Sequence, residues 1–104
     1  MFATIRRYDG VDVSRITELT SKVNETLLPQ LRDLPGFASY YLIDSGDGVV
    51  SSVSLFETRE QGDESTALVK KWNASEKLED AIPNAPKITS GKVVTHSEER
   101  VAVG

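Results

Sequence analysis

The stretch from Gly48 to Gln61 constrains the fold most, because two kinds of element are written in it back to back. Its first half has a period of two. Val49, Ser51, Val53 and Leu55 share one face, and Val50, Ser52, Ser54 and Phe56 share the other. β-Branched and small hydroxyl side chains in that rhythm specify a strand. Thr58 then opens a helix: its hydroxyl can accept from the Gln61 amide while the Gln61 side chain reaches back, which is a capping box.

The flanking chain supplies the other elements. Phe2 to Tyr8 reads as a first strand, with Ala3, Ile5 and Arg7 on one face and Phe2, Thr4, Arg6 and Tyr8 on the other. Asp9-Gly10 marks a turn, and Asp12 is placed to cap a helix. That helix carries Ile16, Leu19, Val23, Leu27, Leu28, Leu31 and Leu34 in one apolar stripe. Pro29 lies inside the stripe. It lacks an amide hydrogen and its ring clashes with the preceding turn, which predicts a kink near Glu25 to Leu28. Pro35-Gly36 ends the helix.

Phe37 to Asp44 is the second strand, with Phe37, Ser39, Tyr41 and Ile43 facing one way and Ala38, Tyr40 and Leu42 the other. Ser45 to Gly48 reads as a hairpin loop, so the second and third strands pair antiparallel. The second helix starts after Thr58 and carries Ala67, Leu68, Trp72, Leu78 and Ile82 as a thinner stripe. Gly62 weakens it locally by about 1 kcal/mol relative to alanine. Pro83 and Pro86 stop it. The last strand falls between Lys87 and Ser97, centred on Val93-Val94, with a bulge or bend at Gly91. Val101-Ala102-Val103 can add a little pairing.

The order is β-α-β-β-α-β over 104 residues, a single α+β domain with a ferredoxin-like antiparallel sheet. Helices cover only one side of such a sheet. Strands two and three are apolar on both faces, so the second face needs a cover. A second copy of the chain, in a two-fold homodimer, is the economical one.

Composition removes several function classes. The net charge is −4, with 5 − 7 = −2 over residues 1–52 and 7 − 9 = −2 over residues 53–104. No basic stripe exists to neutralise phosphates, which argues against nucleic acid as a partner. The absence of cysteine excludes disulfides, thiolate nucleophiles and cysteine-ligated metals. The single histidine, His96, has no second ligand at metal-binding spacing, and no glycine-rich phosphate loop is present, so no cofactor is expected. No run approaches the roughly 18 apolar residues of a membrane span, and Arg6 and Arg7 follow rather than precede the short apolar start. The expectation is a cytoplasmic protein without a membrane partner.

Several local patterns together resemble the dimeric α+β barrel superfamily. They are Leu27-Leu28-Pro29-Gln30-Leu31, Leu34-Pro35-Gly36-Phe37, Tyr40-Tyr41, Ser54-Leu55-Phe56-Glu57-Thr58, Trp72 and the run from Ile88 to His96. The nearest group is the small proteins akin to antibiotic-biosynthesis monooxygenases. The resemblance implies a homodimer with facing sheets and a cavity beside each sheet. Enzymes of the superfamily include cofactor-free oxygenases of polyketide quinols and haem-degrading oxygenases. The haem-degrading type uses an Asn on the first strand and a Trp and a His in the second helix. Trp72 matches in general position, whereas the first strand here offers Thr4, Arg6 and Arg7.

Within that frame, His96 and Arg6 are the candidate catalytic residues, as a base and an anion stabiliser. Tyr40, Tyr41 and Trp72 are the candidate substrate-binding residues, able to hydrogen-bond or stack on a small apolar or aromatic ligand. Each has a structural alternative: His96 at the surface, Trp72 in the core, the tyrosines at an interface. Ser51, Ser52 and Ser54 read as hydroxyls tolerated on a half-buried sheet. Three function classes follow: a cofactor-independent oxygenase acting on a small aromatic or quinol-like compound, a non-enzymatic small-ligand binder, and a structural homodimer.

Overall fold

The structure, a computed structural model, describes residues 1–98. The proposed pairing of Val101 to Val103 therefore lies outside the described residues. Strand β1 (Phe2–Tyr8) leads through a short 3₁₀ turn, Val13–Arg15, into helix α1 (Ile16–Lys22). Asp12 caps this entry by accepting from the Ser14 amide. A π-helical turn, Val23–Leu27, joins α1 to α2 (Leu28–Arg32). Strands β2 (Phe37–Gly46) and β3 (Val49–Phe56), helix α3 (Arg59–Ser75) and strand β4 (Lys87–Lys92) complete the chain. The sheet order is β2-β3-β1-β4, and all pairings are antiparallel. The topology is ferredoxin-like, as the element order predicts. Among the described residues, no helix is long and apolar enough to cross a membrane.

The kink predicted at Pro29 takes the form of the π turn. The Leu28 amide donates to the Val23 carbonyl five residues back, and the widened turn sits directly before the proline. Thr26 Oγ1 donates to the Lys22 carbonyl at 2.7 Å and accepts from Trp72 Nε1 at 2.7 Å. Trp72 thus pins α3 to the π turn.

Between sheet and helices lies the core of Leu19, Val23, Leu27, Leu31, Val50, Phe56, Val69, Trp72 and Leu78. Phe37 meets Phe56 edge to face, with centroids 5.7 Å apart. The burial of β3 alternates residue by residue, with Val50, Ser52, Ser54 and Phe56 inward. The opposite sheet face is open, and Ile5, Tyr41 and Ile43 are exposed upon it.

Four expectations require correction. Phe37 was expected on the Tyr41 face, but a register shift between Phe37 and Ser39 turns it inward against the core with Tyr40 and Leu42. The hairpin loop is shorter than Ser45 to Gly48. Strand β2 runs to Gly46, and Asp47 and Gly48 make a two-residue turn with positive φ at both (55° and 78°). Helix α3 stops at Ser75 rather than continuing to Ile82. The Leu78 amide bonds the Asn73 carbonyl, the Lys77 amide bonds that of Ala74, and Lys77 sits at φ 54°, which together make a Schellman cap. Leu78 and Ile82 still reach the core, from a non-helical segment (residues 76–86) tied down by Asp12 N–H to Ala81 O at 2.9 Å. Finally, β4 pairs with β1 in unbroken register through Gly91 and ends at Lys92. Val93 only donates to the Met1 carbonyl, and Val94 is in solvent.

Candidate functional site

Arg6 lies on the helix-facing side of β1, in the series Thr4, Arg6, Tyr8, and is 1 % exposed. A guanidinium is cationic throughout the accessible pH range, and burying one without an anion is costly. Here its partners are hydroxyls. Nη1 donates to Ser54 Oγ at 3.0 Å, and Nη2 donates to Ser65 Oγ at 3.3 Å and to Thr66 Oγ1 at 2.6 Å. The two α3 hydroxyls spend their own hydrogens on the Gly62 carbonyl, at 2.6 and 3.3 Å, which leaves their lone pairs for the arginine. Among the described residues Arg6 Nε has no partner and Arg6 forms no ion pair.

Gly62 explains how α3 comes so close. A Cβ there would stand 3.1 Å from Phe2 Cδ1 and 3.5 Å from Thr4 Oγ1. The glycine that weakens the helix locally is what lets its hydroxyl-bearing turn lie over β1.

A partly open recess of about 430 Å³ adjoins this cation. Arg6, Tyr8 and Ile88 form its sheet side, Thr66, Val69, Lys70 and Asn73 its helix side, and Glu79 and Ile82 to Pro86 its remaining wall. That volume suits a small organic molecule. Behind Tyr8 a small void of about 20 Å³, also lined by Tyr40, leads towards a second recess of about 230 Å³ between α1 and β2.

The electrostatics follow from burial. Desolvation lowers the Arg6 pKa, opposed by its attraction to the Tyr8 and Tyr40 phenols. Burial likewise raises the Tyr8 pKa, with Arg6 and the neighbouring Asn73 side chain acting the other way. The Tyr40 phenol is pushed up to about 12, mainly by burial and then by Tyr8. Both phenols are therefore neutral at physiological pH. The arrangement can hold an oxygen-bearing ligand against a buried cation. Glu79 is the only carboxylate among the described lining residues.

The candidate residues separate in space. Arg6 lines the recess, and Tyr40 stands behind it. Trp72 is buried and hydrogen-bonded to Thr26 in the core. Tyr41 is on the open sheet face, 56 % exposed. His96 is exposed in the segment after β4 and does not line the recess. Sequence reasoning did not single out Tyr8, Ser65, Thr66 or Asn73, and it treated Ser54 as a tolerated hydroxyl. The available signal was the run Gly62, Ser65, Thr66, Val69, Asn73, which places small and polar residues on one side of α3 at helical spacing. Among the described residues, no group of three His, Cys, Asp or Glu side chains is placed to hold a metal ion.

No family model matches the sequence, and no curated protein is similar to it in sequence. Solved structures match closely in backbone. A monooxygenase from the gene ActVA-Orf6 of Streptomyces coelicolor, in complex with nanaomycin D, superposes with a TM-score of 0.71 at 18% identity, covering 95% of this chain and 92% of that one. The fold is similar to that of solved structures described as antibiotic biosynthesis monooxygenases. An antibiotic biosynthesis monooxygenase matches at a TM-score of 0.69 and 15% identity, over 91% of this chain and all of its own (100%). A mutant of MhuD with two manganese protoporphyrin IX molecules bound per active site matches at 0.74 and 15% identity, over 95% and 100%. Identities this low speak to the fold alone.

Proposed function

We propose that the chain is a homodimeric, antibiotic-biosynthesis-monooxygenase-like protein that binds a small aromatic or quinol-like compound in the Arg6 recess and acts on it as a cofactor-independent oxygenase. The observation that supports this reading best is the buried Arg6, held by hydroxyls alone beside an apolar-walled recess. A phenol bound there would have its ionised form favoured by the guanidinium, and an electron-rich phenolate is the form that reacts with dioxygen. The Streptomyces coelicolor structure gives a precedent within the fold for a monooxygenase that binds a small organic ligand, nanaomycin D. Arg6 is the proposed anion stabiliser. His96 does not line the recess of the single chain, and a partner subunit is the proposed route by which it reaches a ligand there.

Oxygen uptake with a panel of quinols tests the reading. Uptake by the unaltered protein that falls at least about tenfold in Arg6→Gln is expected. A His96→Ala protein shows whether the histidine takes part. Ligand binding without uptake would leave the non-enzymatic binder, and binding of no panel member would refute the recess as the site.

For the dimer, the open face carrying Ile5, Tyr41 and Ile43 supports a second copy as its cover. Solution mass measurement should give a dimer, and Ile43→Lys should shift it to monomer. A monomer for the unaltered chain would refute this part.

A further inference from the structure

We propose that the recess selects ligands carrying a fixed negative charge, an apolar ring system bearing a carboxylate or an equally acidic enol, whose oxygens complete the coordination of Arg6. This rests on the recess being the ligand site, and it goes further by assigning the charge of the ligand.

Three observations carry it. First, the guanidinium has a full positive charge, three hydroxyl acceptors and no carboxylate among the described residues, so a buried monopole is left unbalanced. Dipoles of hydroxyls orient towards a cation but do not cancel it. Second, Nε is buried and, among the described residues, unpaired. A guanidinium donates through five N–H groups, and a carboxylate matches its fork with two parallel bonds. Third, the charged lining residues are Arg6, Lys70 and Glu79, a surplus of one positive charge in a chain of net charge −4. Beyond them Val69, Ile82, Ile88 and the two prolines Pro83 and Pro86 give apolar surface, beside the neutral polar side chains of Tyr8, Thr66, Asn73 and Asn84. An anionic head with an apolar body fits both parts.

A neutral phenol or quinol would gain the apolar contacts and leave the charge of Arg6 uncompensated. A phenol or quinol can offset that charge only by giving up a proton on binding, so an oxygen acid already ionised in water binds more tightly than one that must be ionised in the recess.

The test is calorimetric titration with matched pairs that differ only in charge. Benzoate, naphthoate and anthracene carboxylate would each be compared with the corresponding neutral amide on the full chain. At least one acid is expected to bind about tenfold or more tightly than its amide. Arg6→Gln should bring acid and amide to the same affinity, and Arg6→Lys should retain part of the preference. Lys70→Gln should keep most of it. The acid–amide comparison needs no variant, so poor folding of Arg6→Gln would not shelter the idea. Equal affinity of acid and amide overturns the charge assignment and leaves the recess standing as a ligand site. Binding of neither member of any pair overturns both. A preference that survives in Arg6→Gln and vanishes in Lys70→Gln overturns the role given to Arg6.

Discussion

Arg6 Nη2 stands 2.6 Å from Thr66 Oγ1, although the two residues are 60 positions apart in the chain. With the bond to Ser65 Oγ, it joins the sheet to α3 one turn beyond the close approach at Gly62. It also marks a choice in the protein between stability and readiness, since a charged group takes a place that an apolar side chain would fill without desolvation.

Replacing Arg6 by methionine makes that choice measurable. The substitution removes a buried charge, and Ser65 and Thr66 keep their bonds to the Gly62 carbonyl. Buried ionic groups exchanged for apolar ones of similar volume commonly give proteins that are neutral to about 1–4 kcal/mol more stable. We expect Arg6→Met to lose less than ~1 kcal/mol in urea unfolding, or to gain, while ligand binding disappears. A loss of ~3 kcal/mol or more would show that the hydroxyl cradle stabilises the fold outright.

The phenol of Tyr40 sets an alkaline limit. Its pKa is pushed up to about 12 in the folded chain, above the ordinary value of 10.0. Between those values the unfolded chain has lost the proton and the folded chain keeps it, so stability falls as pH rises. Its contribution is complete below pH 10.0 and is lost towards pH 12, at no more than about 1.4 kcal/mol per pH unit. Urea midpoints measured from pH 8 to 11.5 (about one unit apart) should decline in that window, and Tyr40→Phe should flatten the decline. Tyr8, shifted in the same direction, will leave a residual slope. Identical curves for Tyr40→Phe and the parent would refute the assignment.

Lys77 holds a left-handed backbone at φ 54° at the end of α3, where glycine is the usual occupant. Its side chain is exposed. Lys77→Gly should therefore raise stability by about 1 kcal/mol, through relief of the backbone cost at that one position. Thermal denaturation gives the answer, and a fall in melting temperature would mean the lysine contributes something beyond its conformation.

Trp72 and Thr26 couple α3 to the π turn at 2.7 Å. Trp72→Phe and Thr26→Val should each cost on the order of 1–2 kcal/mol, and the double variant should cost less than their sum by about 1 kcal/mol. Ligand affinity should stay within about twofold, because Trp72 lies in the core away from the recess. Additive costs would show that the bond carries no net energy.

Much of the architecture is legible in local chemistry. Thr58 and Gln61 cap α3 reciprocally, as their spacing requires, and Pro29 announces its distortion of the first helix. Alternation in β1 places Arg6 and Arg7 on opposite faces. What local pattern does not contain is long-range. The bulge that turns Phe37 inward depends on how β2 meets β3. The end of α3 at Ser75 is set by a cap on a lysine, where neither glycine nor proline gives warning. Leu78 and Ile82 keep helical spacing because the core needs them there, and a bent segment delivers them as well as a helix would. The site is the least legible part. The sequence marks Arg6 as a candidate, but not its setting: its acceptors are hydroxyls from β3 and α3, 48 to 60 positions away, with no carboxylate among them.

Strand β1 has one further consequence. Arg6 and Tyr8 point to the recess, while Ala3, Ile5 and Arg7, one residue out of step, point to the open face. The proposed ligand site and the proposed subunit seam are thus separated by the thickness of a single strand. Any factor by which ligand occupancy tightens or loosens the pairing of two chains must reappear, by thermodynamic reciprocity, as the factor by which pairing alters ligand affinity. Titrating ligand at several protein concentrations would read both numbers at once.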